Sequence, residues 1–144
     1  MTAAASSDAS GTDRITPMGP GREFDLIRAL VGESDALDPA VLVGPGDDAA
    51  VLQVERLVVS TDLSVEDVHF RRSWISLEEA GFRAVVVAAS DLAAMAAKPV
   101  GVLLSLAVAT AEAEVVLAEL ARGVQAALEE LGVALVGGDL TASP

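Results

Sequence analysis

Apolar positions recur along this chain with two different periods, and the switches between them mark out its elements. From Glu23 to Leu30, the residues Phe24, Leu26, Ile27 and Leu30 fall at roughly helical spacing, with Gly32 placed to stop the helix. Val41 to Val43, Ala49 to Val54 and Leu57 to Ser60 are aliphatic or β-branched runs. The first two are divided by Gly44-Pro-Gly-Asp-Asp48, and the last two by Glu55-Arg56, which reads as a hairpin connection. Ser76-Leu-Glu-Glu79 matches a capping box, in which a Ser hydroxyl and a Glu carboxylate each satisfy an amide of the first helical turn. A long helix is therefore predicted from there to about Ala97, before Pro99 forbids continuation. Val100 to Val108 reads as a strand buried on both faces. Thr110 is placed to cap a further helix, in which Val116, Leu120, Val124, Ala127 and Leu131 form the apolar stripe while Glu112, Glu119 and Glu129 face water. Gly132 is its left-handed stop, and Val133 to Val136 is a last short strand that carries Gly137-Gly138-Asp139 at its carboxyl end. This order predicts an α/β domain with α+β character: a mixed β-sheet with helices packed mainly on one face.

Composition supports a packed domain. Of 144 residues, 52% are hydrophobic, and with three Phe, one Trp and no Tyr the core must be built from Val, Leu and Ala. Nine basic residues against 22 acidic ones give a formal charge of -13, which argues against a sequence-independent nucleic-acid binder. The absence of Cys excludes disulfides, thiolate ligands and a thiol nucleophile, and a reducing cytoplasm fits best. The longest apolar stretch, Val100 to Ala111, falls short of the roughly 20 residues a membrane helix needs, so no membrane partner is expected. Met1 to Pro20 is rich in small residues, lacks the pattern of a secretion signal, and reads as a flexible leader.

Against this apolar background four acidic sites stand out: Asp47-Asp48, Asp62, Asp91 and Asp139, each beside Gly, Ser or Thr. A carboxylate set in a Val/Leu/Ala-rich segment is costly to bury alone, and gathered carboxylates call for a cation; magnesium, which takes hard oxygen ligands, suits them. Each site also has a plainer reading. Asp47-Asp48 suits a polar turn, Ser60-Thr61-Asp62 a helix or turn cap, and Gly137-Gly138-Asp139 an ordinary loop. Asp91 has only Ala, Val, Leu, Ser and Met within a turn on either side, and its plainer reading is a face open to water. His69, the single histidine, reads alone as a structural hydrogen-bonder. Gly44-Pro-Gly-Asp-Asp-Ala49 imitates a dinucleotide fingerprint, but a strand rather than a helix follows it, and no Walker phosphate loop occurs anywhere.

Five motifs taken in order resemble the thiamine-monophosphate kinase family. They are Gly21-Arg-Glu-Phe-Asp-Leu-Ile27, Gly46-Asp-Asp-Ala-Ala-Val51, Ser60-Thr-Asp-Leu-Ser-Val-Glu66 with His69-Phe70, Ser90-Asp-Leu-Ala-Ala-Met95 with Lys98-Pro99, and Gly137-Gly-Asp139. Any one alone would fit the wider superfamily of aminoimidazole-ribonucleotide synthetase-like enzymes. The resemblance implies the amino-terminal domain of that fold, with residues 21–144 binding ATP and magnesium and forming a homodimer through the sheet, and a carboxyl-terminal domain absent from this chain. It implies ATP-dependent phosphorylation of thiamine monophosphate to thiamine diphosphate, with ATP as co-substrate and several magnesium ions. Carried over, Asp48, Ser60, Thr61, Asp62, Asp91 and Asp139 are expected metal ligands, Gly138 and Asp139 nucleotide contacts, and His69 a substrate contact, with no side-chain nucleophile. A chain holding only this half is expected to phosphorylate poorly.

The chain departs from the family pattern at four places. The family usually has Gly at position 67, Asn at 88, Gly at 96, and Thr-Thr-Arg where this chain has Leu140-Thr141-Ala142. The missing Arg removes an expected anion contact. Two other readings stand beside the kinase: another synthetase of the same superfamily, such as a selenophosphate or aminoimidazole-ribonucleotide synthetase, and a non-catalytic nucleotide-binding or dimerisation module.

Overall fold

Helix α2 (Leu77–Ala94) starts where the capping box places it. The Ser76 hydroxyl accepts from the Glu79 amide at 3.1 Å, and the Glu79 carboxylate accepts from the Ser76 amide at 2.7 Å, so two otherwise orphaned amides are satisfied reciprocally. The structure, a computed structural model, describes residues 22–32, 37–46, 49–109 and 113–143. The remaining elements are α1 (Arg22–Val31), β1 (Val41–Val43), β2 (Val51–Leu52), β3 (Val102–Ala109), α3 (Ala113–Leu131) and β4 (Leu135–Ser143). The leader, Thr110 and Glu112 lie outside the described residues.

Helix ends follow local chemistry. At the end of α3, Gly132 takes φ +64, its amide reaches Glu129 O, and the Val133 amide reaches Leu128 O, the paired bonds of a Schellman stop. The end of α2 repeats this pattern with Ala96 at φ +53, its amide on Ala93 O and the Ala97 amide on Leu92 O. The helix thus stops at Ala94, short of the predicted Ala97, because this left-handed turn intervenes before Pro99 acts. Asp67 is the second non-glycine residue with positive φ among the described residues, at +64. Both positions are among those where the family usually carries Gly.

Helices α2 and α3 cross through glycines. A Cβ on Gly123 would stand 1.8 Å from Glu78 O, and one on Gly81 would stand 2.4 Å from Leu120 O, so neither position admits a side chain without separating the helices. Around this crossing Val85, Ala121, Val124, Ala127 and Leu128 join Leu30 and Val31 of α1 and Leu135 of β4 in one core. The predicted stripe of α3 is buried at Val116, Val124 and Ala127 and half-buried at Leu120 and Leu131. Glu129 is exposed as expected, whereas Glu119 is half-buried.

The strands differ most from expectation. β1 and β2 pair antiparallel and β3 and β4 pair parallel, so both pairings occur, but in two separate two-stranded sheets among the described residues. β2 spans two residues of the predicted Ala49 to Val54, and Leu57 to Ser60 forms no strand, so no hairpin turns at Glu55-Arg56. A strand needs a neighbour, and this run finds none among the described residues; Val59 is 70% exposed. β3 is covered on one face only. Val102, Leu104 and Leu106 pack against the helical core, while Leu103 between them is 68% exposed. β4 continues past the predicted Val136 to Ser143, because pairing with β3 carries the hydrogen-bonded ladder through both glycines.

Two outcomes check this description. Ala96→Gly removes the Cβ penalty of a left-handed stop and is expected to stabilise the domain by about 1 kcal/mol, seen as a rise of roughly 3–5 °C in Tm; an unchanged or lower Tm contradicts the left-handed assignment. Glu79 titrates below the ordinary glutamate range because the Ser76 backbone amide and then its hydroxyl hydrogen-bond the carboxylate. A lowered folded value means its stabilisation is fully present above the unfolded value of about 4.3 and is lost as pH falls through the folded value. Glu79→Gln is therefore expected to melt below the parent chain at pH 7, with the gap closing in acid; a gap independent of pH contradicts this.

Candidate functional site

Helix α2 brings two of the sequence motifs together. Asp91, in its last turn, accepts a hydrogen bond from the Ser60 hydroxyl at 2.7 Å across 31 residues of chain. Ser60 is half-buried and Asp91 exposed, so the face is open to water and the cost of burying an isolated carboxylate does not arise. No charged or polar residue is buried among those described. Burial cost therefore demands no cation at Asp91, and what remains is an accessible pair of hard oxygen donors, Ser60 and Asp91.

Beside Ser60, Thr61 and Asp62 are exposed, and the Asp62 carboxylate accepts from the Leu63 amide at 3.0 Å. That bond turns one oxygen back on its own segment and leaves the carboxylate otherwise accessible. Asp139 is exposed on β4, in register with Ser105 of β3. Asp48 lies outside the described residues. Among the described residues no group of three or more His, Asp or Glu side chains stands close enough to hold a metal ion. The donor types suit a hard cation, and Ser60 with Asp91 is the pair that the fold brings into contact.

Gly138 has a structural cause. It adopts φ +152, and a Cβ there would stand 1.8 Å from Leu104 O, so the parallel approach of β4 to β3 already requires glycine. Gly137-Gly138-Asp139 is thus an interior stretch of β4, neither past the carboxyl end of a short strand nor an ordinary loop.

His69 sits in a small closed loop. Its Nδ1 accepts from the Val65 amide at 3.1 Å, its own amide donates to Val65 O at 2.8 Å, and the Asp67 amide donates to Phe70 O at 2.7 Å. The loop is laced by ion pairs from Arg72 to Glu66 at 2.9 Å and from Arg71 to Asp67 at 3.6 Å, and Arg71 stacks over Trp74 at 4.8 Å. These pairs are largely exposed, each contributing at most about 1 kcal/mol. Arg83 of α2 donates from Nη1 to His69 O at 2.8 Å. No motif points to Arg83, although one signal was present: it is the sole basic side chain on α2.

A cavity of about 450 Å³ lies elsewhere, between α1 and α3, lined by Ala29, Ala118, Ala121, Ala126, Arg122, Gln125 and Glu129. None of the predicted site residues lines it. Its wall is mostly alanine methyl groups, and phosphate or metal recognition would require more convergent polar groups than Arg122, Gln125 and Glu129 supply.

Residues 46–144 match the model of the AIR synthase related protein, N-terminal domain, which covers more than half of the chain and includes every predicted site residue. The chain belongs to the AIR synthase related protein family. Within it the chain is similar to proteins named thiamine-monophosphate kinase. The Corynebacterium glutamicum protein of that name is 38% identical over 124 residues, covering 83% of this chain and 35% of the relative. The one from Mycobacterium tuberculosis is 39% identical over 124 residues, covering 82% and 36%, and that from Bacillus subtilis is 36% identical over 120 residues, covering 81% and 37%. The chain thus spans little more than a third of the length of these relatives. The family assignment bears out the mixed α and β character of the domain and the resemblance carried by the five motifs.

Proposed function

We propose that residues 21–144 form the nucleotide- and magnesium-facing domain of an ATP-dependent kinase that converts thiamine monophosphate to thiamine diphosphate. The observation that carries this reading is the Ser60 to Asp91 hydrogen bond, which joins the Ser60-Thr61-Asp62 and Ser90-Asp91 motifs at one end of α2. The similarity to relatives bearing the kinase name gives that junction its chemical meaning.

Asp48, Ser60, Thr61, Asp62, Asp91 and Asp139 are the residues that would hold magnesium, through hydroxyl and carboxylate oxygens. Magnesium bound there would offset the charge of the ATP phosphates and favour their in-line transfer. Gly138 and Asp139 are assigned to the nucleotide, and His69 to thiamine monophosphate. The acceptor is already an anionic phosphate, so the chain needs no strong general base and none is assigned. A strongly acidic chain tolerates two anionic substrates only with cations between them, which supports the same assignment.

A homodimer is part of this proposal. Leu57, Val59, Leu63, Val68 and Trp74 are exposed in the segment that forms no strand, and the outer face of β3 is uncovered at Leu103; exposed apolar runs of this kind suit a protein interface. No helix among the described residues is long and apolar enough to cross a membrane. The cytoplasm is the proposed compartment, supported by the absence of Cys. The chain by itself is proposed to phosphorylate poorly, since it spans little more than a third of its relatives' length.

Calorimetry separates this reading from a non-catalytic module. ATP is expected to bind the chain only when magnesium is present, and thiamine monophosphate to bind more tightly than inorganic phosphate. Asp91→Asn is expected to weaken magnesium-dependent ATP binding by about tenfold or more with an unchanged Tm, because the carboxylate is exposed. Absence of magnesium-dependent binding would favour the module, and rapid thiamine diphosphate formation by the 144-residue chain would overturn the expectation of poor activity.

A further inference from the structure

Residues 65–70 form a loop whose backbone closes on itself and whose outward side chains lie in water. The Glu66 to Phe70 bridge and the Asp67 amide on Phe70 O fix one side, and the double contact between His69 and Val65 fixes the other. Val65, Val68 and His69 are exposed, and Phe70 reaches the core beside Leu77, Val108 and Leu117. Asp67 holds the left-handed turn that the loop requires.

The hydrogen bond from the Val65 amide to His69 Nδ1 decides the state of the ring. A nitrogen that accepts an N–H carries no proton, so the neutral imidazole keeps its proton on Nε2 and offers a donor there. An exposed imidazole on a loop would ordinarily sample other rotamers and lose that bond. Arg83 opposes this: its guanidinium donates to the carbonyl of the same residue, pinning the His69 backbone to a rigid helix at 2.8 Å. The guanidinium also sets a fixed positive charge beside the loop, favouring an anionic ligand there.

We propose that Arg83 is a positioning residue that holds the 65–70 loop on α2 and so presents His69 Nε2–H as a fixed donor to the phosphate of the substrate. The identity of that substrate as thiamine monophosphate rests on the kinase reading above; the positioning does not. Arg122 of α3 provides a contrast, since its side chain bonds Glu78 of α2 at 3.0 Å and the Ala118 carbonyl of its own helix.

The single histidine makes the test direct. In the full 144-residue chain labelled with nitrogen-15, ring spectra are expected to show one Nε2–H tautomer, with Nδ1 unprotonated and hydrogen-bonded. Arg83→Ala is expected to give the averaged tautomer signature of a free histidine and to weaken thiamine monophosphate binding by about tenfold, with magnesium-ATP binding and Tm preserved. Arg83→Lys, which can still donate to the carbonyl, should restore the tautomer, and Arg122→Ala should leave it alone. An unchanged ring spectrum in Arg83→Ala overturns the positioning role, as does a changed spectrum with unchanged affinity in a chain that binds the substrate. If the parent chain binds no thiamine monophosphate the kinase reading fails, while the ring spectra still decide whether Arg83 positions His69.

Discussion

The crossing of α2 and α3 is the constraint on which the rest of the domain depends. Two glycines let the helix backbones approach so closely that Gly123 faces Glu78 O and Gly81 faces Leu120 O. The contact places Val124, 1% exposed, at the centre of the core and fixes both the height and the rotation of α2. Two parts of the predicted site are then tied to that helix. Asp91 near its carboxyl end holds Ser60, and Arg83 two turns earlier holds His69.

This arrangement explains how a segment without regular structure can carry a site. Between Gln53 and Ile75 the chain forms neither a named strand nor a helix, and many of its apolar side chains are exposed. Local hydrogen bonds and exposed ion pairs close its loops, but such contacts are individually weak. Two points of attachment on one rigid helix convert these local turns into a placed surface. Lys98, just beyond α2, adds an ion pair at 3.6 Å with the half-buried Asp38 before β1, so the region after the helix is tied to the first sheet as well.

The helices were legible in the sequence because their signals are local. Ser76 and Glu79 announce a capping box, Gly132 a left-handed stop, and the α3 stripe a helical period. The strands were less legible because pairing is non-local: nothing within Leu57 to Ser60 reveals that no neighbour lies beside it, and nothing within Gly137-Gly138-Asp139 reveals that β3 runs alongside. Gly138 illustrates the ambiguity well, since a glycine needed for close approach to another strand looks the same as one needed for a ligand. For the site, the motifs named Ser60 and Asp91 but not their contact, and the costly burial inferred for Asp91 proved to be an open face. Arg83 escaped notice because its partner is a backbone carbonyl, which no side-chain motif records. Asp67 and Ala96 show the reverse case, in which departures from a family pattern coincide with the two non-glycine positions of positive φ among the described residues.

Helix α2 holds the strandless segment in place, and hydrogen exchange in a Gly123→Ala variant is the decisive measurement. The added methyl group forces α2 away from α3 at Glu78. The Asp67, Val68 and His69 amides, hydrogen-bonded within their loop, are expected to lose protection together with the amides of α2. Loop amides that keep their parental exchange rates while α2 loosens would contradict it.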